Sequence, residues 1–251
     1  MNSLHSFELA AADGKLIRGD RSIGQDRQIL FITGFLSKRW GNKSKALVQW
    51  CQEKGWGFCC YDVRGFGDSE GRFIDYTLSD WIADARLVVD TLKDGPPITI
   101  VGNSLGSWIA WLMAQECERI ERLILIAPAF NMMGVRARSI SEERQHTWHT
   151  AGWMPWDDEP LHKDWPISWK WVEESEAYWR TTFDHLRHVN TTILHGLQDG
   201  AILPGGSQEF VEQLLAKDRS FPVELNLIPG DHRLGSPENM ERFHQLVVGQ
   251  P

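Results

Sequence analysis

Apolar residues in this chain fall in short unbroken runs separated by stretches of helical period. Gln28–Ile32, Phe58–Tyr61, Ile98–Val101, Arg122–Ile126, Thr191–His195 and Val223–Ile228 are dominated by aliphatic, aromatic and β-branched residues. Runs of this kind, without polar alternation, predict strands buried on both faces. Residues 4–10 and 14–19, on either side of Asp13-Gly14, predict an opening β-hairpin. Between the strands lie helical patterns: Lys43–Lys54, with Ala46, Leu47, Trp50 and Cys51 on one side, and a helix opening at Thr77–Asp80 and running to Leu92, with Thr77 or Ser79 as its cap. Further helices are predicted after residue 107, near Ser175–Arg187, over Ser207–Lys217 and from Glu238 to Val248. Gly55-Trp56-Gly57 and Asp94-Gly95-Pro96-Pro97 end the first two. This alternation predicts an α/β fold with a mostly parallel sheet covered on both faces by helices. In such sheets the active site lies at the carboxyl ends of the strands.

The alternation fails from Phe130 to about Trp171, a stretch rich in Trp, Met, Pro and His with no clean strand. Of the chain's 13 tryptophans, seven fall between Trp148 and Trp179, so the break is one of composition as well as period. The expected organisation is therefore a core of residues 1–129 and 172–251 interrupted by an insertion over 130–171.

Candidate chemistry centres on Gly102-Asn103-Ser104-Leu105-Gly106. The strand Ile98–Val101 runs straight into it and the apolar segment Trp108–Ala114 follows. Strand, sharp turn and helix together form the context of a nucleophile elbow, which holds a serine on a strained turn above the sheet. The flanking glycines let strand and helix backbones approach closely. A serine hydroxyl is a poor nucleophile until a base takes its proton, and that base needs an orienting carboxylate. Two later loops offer both: Gly196-Leu197-Gln198-Asp199 after the strand ending at His195, and Pro229-Gly230-Asp231-His232 after the strand ending at Ile228. The order Ser104, Asp199, His232 is the one expected with this elbow. Asp231 is not the expected partner of His232, because neighbouring side chains diverge; His195 is expected to support the loop bearing Asp199. Oxyanion donors are expected from Leu105 N–H, at a helix start where amides are unpaired, and from Phe35 N–H, in the loop after the third strand. A plain turn at Thr33-Gly34 is the alternative for the latter.

Charge and cysteine content narrow the partners. A formal net charge of −8 argues against a nucleic-acid surface, which needs clustered Lys and Arg. The first eight residues have no basic region leading into an apolar core, so a secretory signal is not expected, and no run approaches the length of a membrane span. Cys51, Cys59, Cys60 and Cys117 lack metal or redox spacing and read as reduced thiols of a cytoplasmic protein. His146, His149 and His162 with Asp157 and Asp158 match no dense metal-ligand motif, so neither a metal nor a cofactor is expected.

Thr33-Gly34-Phe35, Asp62-x-Arg64-Gly65-x-Gly67-x-Ser69, Gly102-Asn103-Ser104-Leu105-Gly106, His195-Gly196-x-x-Asp199 and Gly230-Asp231-His232 together resemble the α/β-hydrolase superfamily along nearly the whole chain. Members usually have His-Gly where this chain has Thr33-Gly34, which removes a side chain that often props that loop. The segments Phe31–Ser37, Asp62–Ser69 and Asn103–Trp108 are similar to the mitochondrial acyl-protein thioesterase branch, whose members cleave cysteine thioesters and acyl glucuronides, and to its bacterial relatives. The resemblance implies an eight-stranded α/β-hydrolase sheet, with Asp62 and Arg64 bracing turns and the Trp-rich insertion serving as a lid. It implies a serine hydrolase of carboxylic esters or thioesters with an apolar acyl group, working through an acyl-enzyme on a small-molecule substrate; a monomer or homodimer is expected. Trp148, Trp153, Met132 and Met133 are the expected substrate contacts of the lid, with Met154 and Leu161 beside them; simple packing of lid on core is the alternative. C–C bond hydrolysis or perhydrolysis on the same scaffold, and a non-catalytic ligand-binding homologue, are the competing readings.

Overall fold

A computed structural model describes residues 3–156 and 165–249. Strands β1 (His5–Ala10), β2 (Leu16–Ser22), β3 (Gln28–Ile32), β4 (Gly57–Tyr61), β5 (Ile98–Asn103), β6 (Ile120–Ile126), β7 (Trp153–Pro155), β8 (Pro166–Ser168), β9 (Asn190–Gly196) and β10 (Val223–Ile228) divide into two sheets. Eight form one sheet in the order β1-β2-β4-β3-β5-β6-β9-β10, and β7 pairs with β8. The β1–β2 and β2–β4 pairs are antiparallel, and from β4 to β10 every pairing is parallel. The parallel centre follows from the apolar runs: β3 and β4 are buried at every residue, which only a sheet covered on both faces allows.

Helices α1 (Asn42–Lys54), α2 (Leu78–Asp90), α3 (Leu105–Glu116), α7 (Gly205–Lys217) and α8 (Pro237–Val248) cover the sheet. Thr77 caps α2 with Asp80, whose carboxylate accepts from the Thr77 N–H at 3.0 Å, the sequence pattern of a capping box. Helix α3 is apolar nearly all round and accordingly buried, with Trp108 and Trp111 fully enclosed. No helix among the described residues is long and apolar enough to cross a membrane.

Between β6 and β9 the structure departs from the sequence expectation. Helices α4 (Met132–Ser139) and α5 (Glu142–Ala151) and the β7–β8 hairpin occupy a region expected to lack strands. Helix α6 spans Trp169–Thr181 rather than Ser175–Arg187, so the expected change-over at residue 171 falls inside it. The helix begins where Ser168 accepts from Trp171 N–H at 3.3 Å, and Ser141 starts α5 the same way through Arg144 N–H. Those caps were the available signals; the aromatic crowding hid the helical period behind them.

The Asp62–Ser69 turn is braced by ion pairs, most of them buried. Arg39 donates to Asp20 at 2.8 Å and to Asp62 and Asp68, so the chain just after the Thr33–Phe35 loop is pinned to it. Arg64 Nε donates to the fully buried Asp84 at 2.6 Å, and burial pushes the Asp84 carboxyl up to about 6 against the pull of that guanidinium. Removing one member of a buried pair leaves an uncompensated charge. Arg64→Ala is therefore expected to cost about 3–5 kcal/mol, seen as a fall in thermal midpoint. A carboxyl whose folded-state pKa lies above its unfolded value binds extra protons when folded, so stability drops as pH rises toward that value. Without Arg64 that value climbs further, and the deficit against wild type should be larger at pH 8 than at pH 5.

Candidate active site

Ser104 stands at the turn between β5 and α3 with φ 54° and ψ −119°, a conformation that costs a non-glycine residue on the order of 1–3 kcal/mol. Hydrogen bonds hold it there: Ser104 N–H donates to Ile126 O at 2.8 Å, and Ser104 O accepts from Ser107 and Ala129 N–H at 3.0 and 3.1 Å. The two glycines are required by contact. A Cβ on Gly102 would lie 2.5 Å from Ser107 Cα, and one on Gly106 would lie 2.2 Å from Ile32 O. The elbow is thus pressed against the end of β3, where the Thr33–Phe35 loop departs.

Sheet register brings the other two loops to the same edge. β9 and β10 run side by side to the Gly196–Ile228 pair, and each then leaves the sheet. Gly196 lets them close, since a Cβ there would sit 2.4 Å from Gly230 O. As a result His232 Nε2 lies 3.2 Å from Ser104 Oγ, and His232 Nδ1 lies 2.7 Å from Asp199 Oδ2. Asp231 does not reach the imidazole in this arrangement; its Oδ1 accepts from Arg233 and Leu234 N–H, both at 3.0 Å, and shapes the loop. Lys43, on α1, adds a staple from Nζ to Arg233 O at 2.6 Å. Burial lowers that ammonium to about 8.

The hydrogen-bond pattern fixes the protons. Asp199 Oδ1 accepts from Ala201 and Ile202 N–H at 2.9 and 2.8 Å. Oδ2 faces His232 Nδ1 and, at 3.1 Å, His195 Nε2. Burial pushes the Asp199 carboxyl up, but hydrogen bonds from His195, His232 and Ile202 N–H outweigh it and hold the group well below the usual carboxylate range. An ionised carboxylate only accepts, so His232 carries its proton on Nδ1 and turns the Nε2 lone pair toward the serine hydroxyl. His195 Nε2 also faces Ile202 O at 3.0 Å, so it too is protonated there, and its Nδ1 accepts from Ser207 Oγ at 2.7 Å. His195 and Ser207 are fully buried. They form an outer layer that aims Asp199, and the sequence hinted at it only through His195.

Phe35 and Leu105 share a cavity beside the elbow with Leu36, Phe66, Phe73 and Trp81. A Cβ on Gly34 would come within 3.0 Å of Ser104 Cβ, so the backbone entering Phe35 passes directly over the serine. Of the four expected lid contacts, none lines this cavity. Trp148 is buried and donates its indole N–H to Ile167 O at 2.9 Å, Met132 and Met133 are buried at the start of α4, and Trp153 is 50 % exposed. The side chains of the 130–171 insertion that reach the cavity walls are others of the tryptophan cluster. Trp156 and Trp171 pack edge-on to Phe35, with centroids 5.0 and 5.4 Å apart, and Trp165 meets Phe66 and Phe73 at 5.1 and 5.2 Å. Composition marked the cluster without saying which members point inward. Met154 is buried in β7, and Leu161, His162, Asp157 and Asp158 lie outside the described residues. His149 packs edge-on to Trp169, and no group of His, Cys, Asp and Glu among the described residues could hold a metal ion.

Comparison with known proteins agrees with this architecture. The family model described as serine aminopeptidase, S33, matches residues 25–156. Human mitochondrial palmitoyl-protein thioesterase ABHD10 is 27% identical over 216 residues, spanning 84% of this chain and 68% of that protein. A putative hydrolase from Agrobacterium vitis S4 superimposes with a TM-score of 0.87 at 22% identity, covering 99% of this chain and 98% of its own. Mouse alpha/beta hydrolase domain-containing protein 10 superimposes with a TM-score of 0.84 at 24% identity, covering 98% and 97%.

Proposed function

The chain is an α/β-hydrolase of the serine aminopeptidase S33 family, and on that footing we propose that it hydrolyses carboxylic esters or thioesters with an apolar acyl group through a covalent acyl-enzyme. The observation that carries this reading is the hydrogen-bonded line from Ser104 Oγ through His232 to Asp199, at 3.2 and 2.7 Å. In the first half-reaction Ser104 Oγ attacks the acyl carbon while His232 Nε2 takes its proton. The charge that develops on the carbonyl oxygen is met by Leu105 and Phe35 N–H groups. His232 then hands its proton to the leaving alkoxide or thiolate. Water, deprotonated by the same imidazole, releases the acid. Asp199 stays ionised throughout and stabilises the imidazolium.

An ester or thioester is assigned because the curated relative is named a palmitoyl-protein thioesterase. Helices α4, α5 and α6 with the β7–β8 hairpin are assigned as the lid, supported by the tryptophan contacts with the cavity walls. The reading includes a cytoplasmic monomer or homodimer, and the free thiols of Cys51, Cys59, Cys60 and Cys117 fit a reducing compartment. Steady-state release of p-nitrophenol from p-nitrophenyl butyrate and of thiol from a butyryl thioester tests the activity. Turnover of at least one supports it; turnover of neither, with tight binding of an apolar ligand, favours a non-catalytic homologue.

His195 provides a finer test, as a positioning residue. His195→Leu deletes one donor to Asp199 and is expected to lower kcat/KM by roughly tenfold, the loss of one hydrogen bond to a charged group. A less well-solvated Asp199 holds the proton on its partner imidazole more tightly, so the acid limb of kcat/KM should move to higher pH. His195→Gln, which can again place an N–H near Oδ2, should recover most of both effects. A variant that loses stability but keeps the wild-type pH profile would assign His195 to packing alone.

A further inference from the structure

His232 sits on a loop at the edge of the sheet, and its distance from Ser104 depends on what holds that loop. Among the described residues most of the loop's hydrogen bonds are local. Asp231 Oδ1 accepts from Arg233 and Leu234 N–H, Gly230 N–H donates to Gln198 Oε1 at 2.6 Å in the neighbouring Asp199 loop, and Asn239 Nδ2 of α8 donates to Pro229 O at 3.0 Å. All these partners come from the chain beyond β9. The bond from Lys43 Nζ to Arg233 O, at 2.6 Å, is of another kind. It crosses 190 residues to α1, the helix that follows the Thr33–Phe35 loop.

The far end of this bond is firm. Arg39 N–H and its guanidinium both donate to Asp62, and Trp40 donates its indole N–H to Asp20 at 3.0 Å. Gly41 N–H then donates to Ser44 Oγ at 2.8 Å and starts the helix. Lys43 lies in the first turn, which contains no acidic residue. A cation there stands against the positive end of the helix dipole, so local helix chemistry does not account for it. Departures of this sort from local rules are expected at functional sites. The charged groups facing the ammonium are Asp231, which favours its charged form, and Arg233, which opposes it. Helix α8 meets α1 through His244, whose ring packs on Trp50 about two turns further along.

We propose that Lys43 is a positioning residue for the catalytic base: its ammonium ties the His232 loop to α1 and so fixes the imidazole against Ser104 and the oxyanion donors, and loss of its charge slackens the tie. The proposal rests on His232 acting as the base. A charge-assisted hydrogen bond is roughly twice as strong as a neutral one, so an amine here holds Arg233 O less well than an ammonium. Burial brings that change to about pH 8. Stability runs the other way. Between about pH 8 and the usual value of 10.5 the folded chain binds fewer protons at this group than the unfolded one. Its cost to the fold is therefore full below that window and fades as pH rises through it. Turnover and stability should separate, which a merely structural lysine would not bring about.

The test takes kcat and KM for p-nitrophenyl butyrate from about pH 6 to about pH 9.5, with thermal midpoints over the same range. The proteins are wild type, Lys43→Met, Lys43→Arg and, as a control on an exposed lysine of the same helix, Lys45→Met. At pH 7 Lys43→Met should lose roughly tenfold in kcat, with KM little changed and a midpoint at or above that of wild type. Wild-type kcat should fall above about pH 8 toward that of Lys43→Met, whose own profile lacks this limb. Lys43→Arg, which keeps its charge, should recover most of kcat and hold it to the top of the range, and Lys45→Met should match wild type. A Lys43→Met kcat within threefold of wild type, a loss that follows a lowered midpoint, or the same basic limb in Lys43→Met would overturn the proposal. Hydrogen exchange over residues 229–236 reads the tie without turnover and should quicken in Lys43→Met. An inactive wild type whose variant exchanges faster sinks the catalytic reading while the tie stands; an active wild type with unchanged exchange sinks the tie alone.

Discussion

Ser104→Ala is expected to lower kcat/KM for an activated ester by roughly 10⁵–10⁶-fold, leaving only what binding and the oxyanion donors contribute. The side chain is small, and its hydroxyl makes its hydrogen bond to His232 rather than to the core, so the fold should persist. Indeed, the strained backbone at φ 54° is held by bonds from Ser104 N–H and O, which alanine keeps. The loss should thus appear in turnover with little change in thermal midpoint. Residual esterase activity within tenfold of wild type would mean that another group attacks the carbonyl.

The second large effect is expected at Asp199. Both of its oxygens are occupied by donors, two backbone N–H groups on Oδ1 and two imidazoles on Oδ2. Asparagine fills the same space but must turn an NH₂ toward one pair. If the amide oxygen stays with the backbone N–H groups, the NH₂ faces His232 Nδ1 and forces it to accept. The proton then moves to Nε2, where it points at Ser104 Oγ and leaves no lone pair to take the hydroxyl proton. This wrong tautomer is expected to cost roughly 10³–10⁴-fold in kcat/KM. Steady-state kinetics beside a circular dichroism spectrum would check it. A loss below tenfold with the fold intact would remove Asp199 from the mechanism.

The parts legible in the sequence were those where local chemistry and tertiary structure agree. Apolar runs such as Gln28–Ile32 and Phe58–Tyr61 could be nothing but doubly covered strands, and they are. The distance between Ser104 and His232, 128 residues apart, was legible only indirectly, because each lies in a Gly-containing loop at the carboxyl end of a strand. The order of β9 and β10 beside β6 then closes the gap. Short-range pattern failed in the insertion. Helices α4 and α5 present no clear apolar stripe, since α4 buries Met132, Met133, Gly134 and Ala137 while α5 buries Trp148 alone. With so many tryptophans, orientation is decided by neighbours far along the chain: Trp148 turns toward Ile167, Trp171 onto Phe35. His195 was legible as a support but not in its role, which depends on Ser207 from the following helix and a shared carboxylate oxygen.

On this mechanism Ser104 becomes covalently acylated during turnover. Acid-quenching the enzyme milliseconds after mixing with a p-nitrophenyl ester, then mapping peptides by mass spectrometry, tests it directly. The mechanism predicts one acyl mass added to the peptide containing Ser104, formed as fast as the burst of p-nitrophenol and absent from Ser104→Ala. An acyl group on a different residue, or full turnover with no adduct and no burst in an enzyme whose deacylation has been slowed, would contradict it.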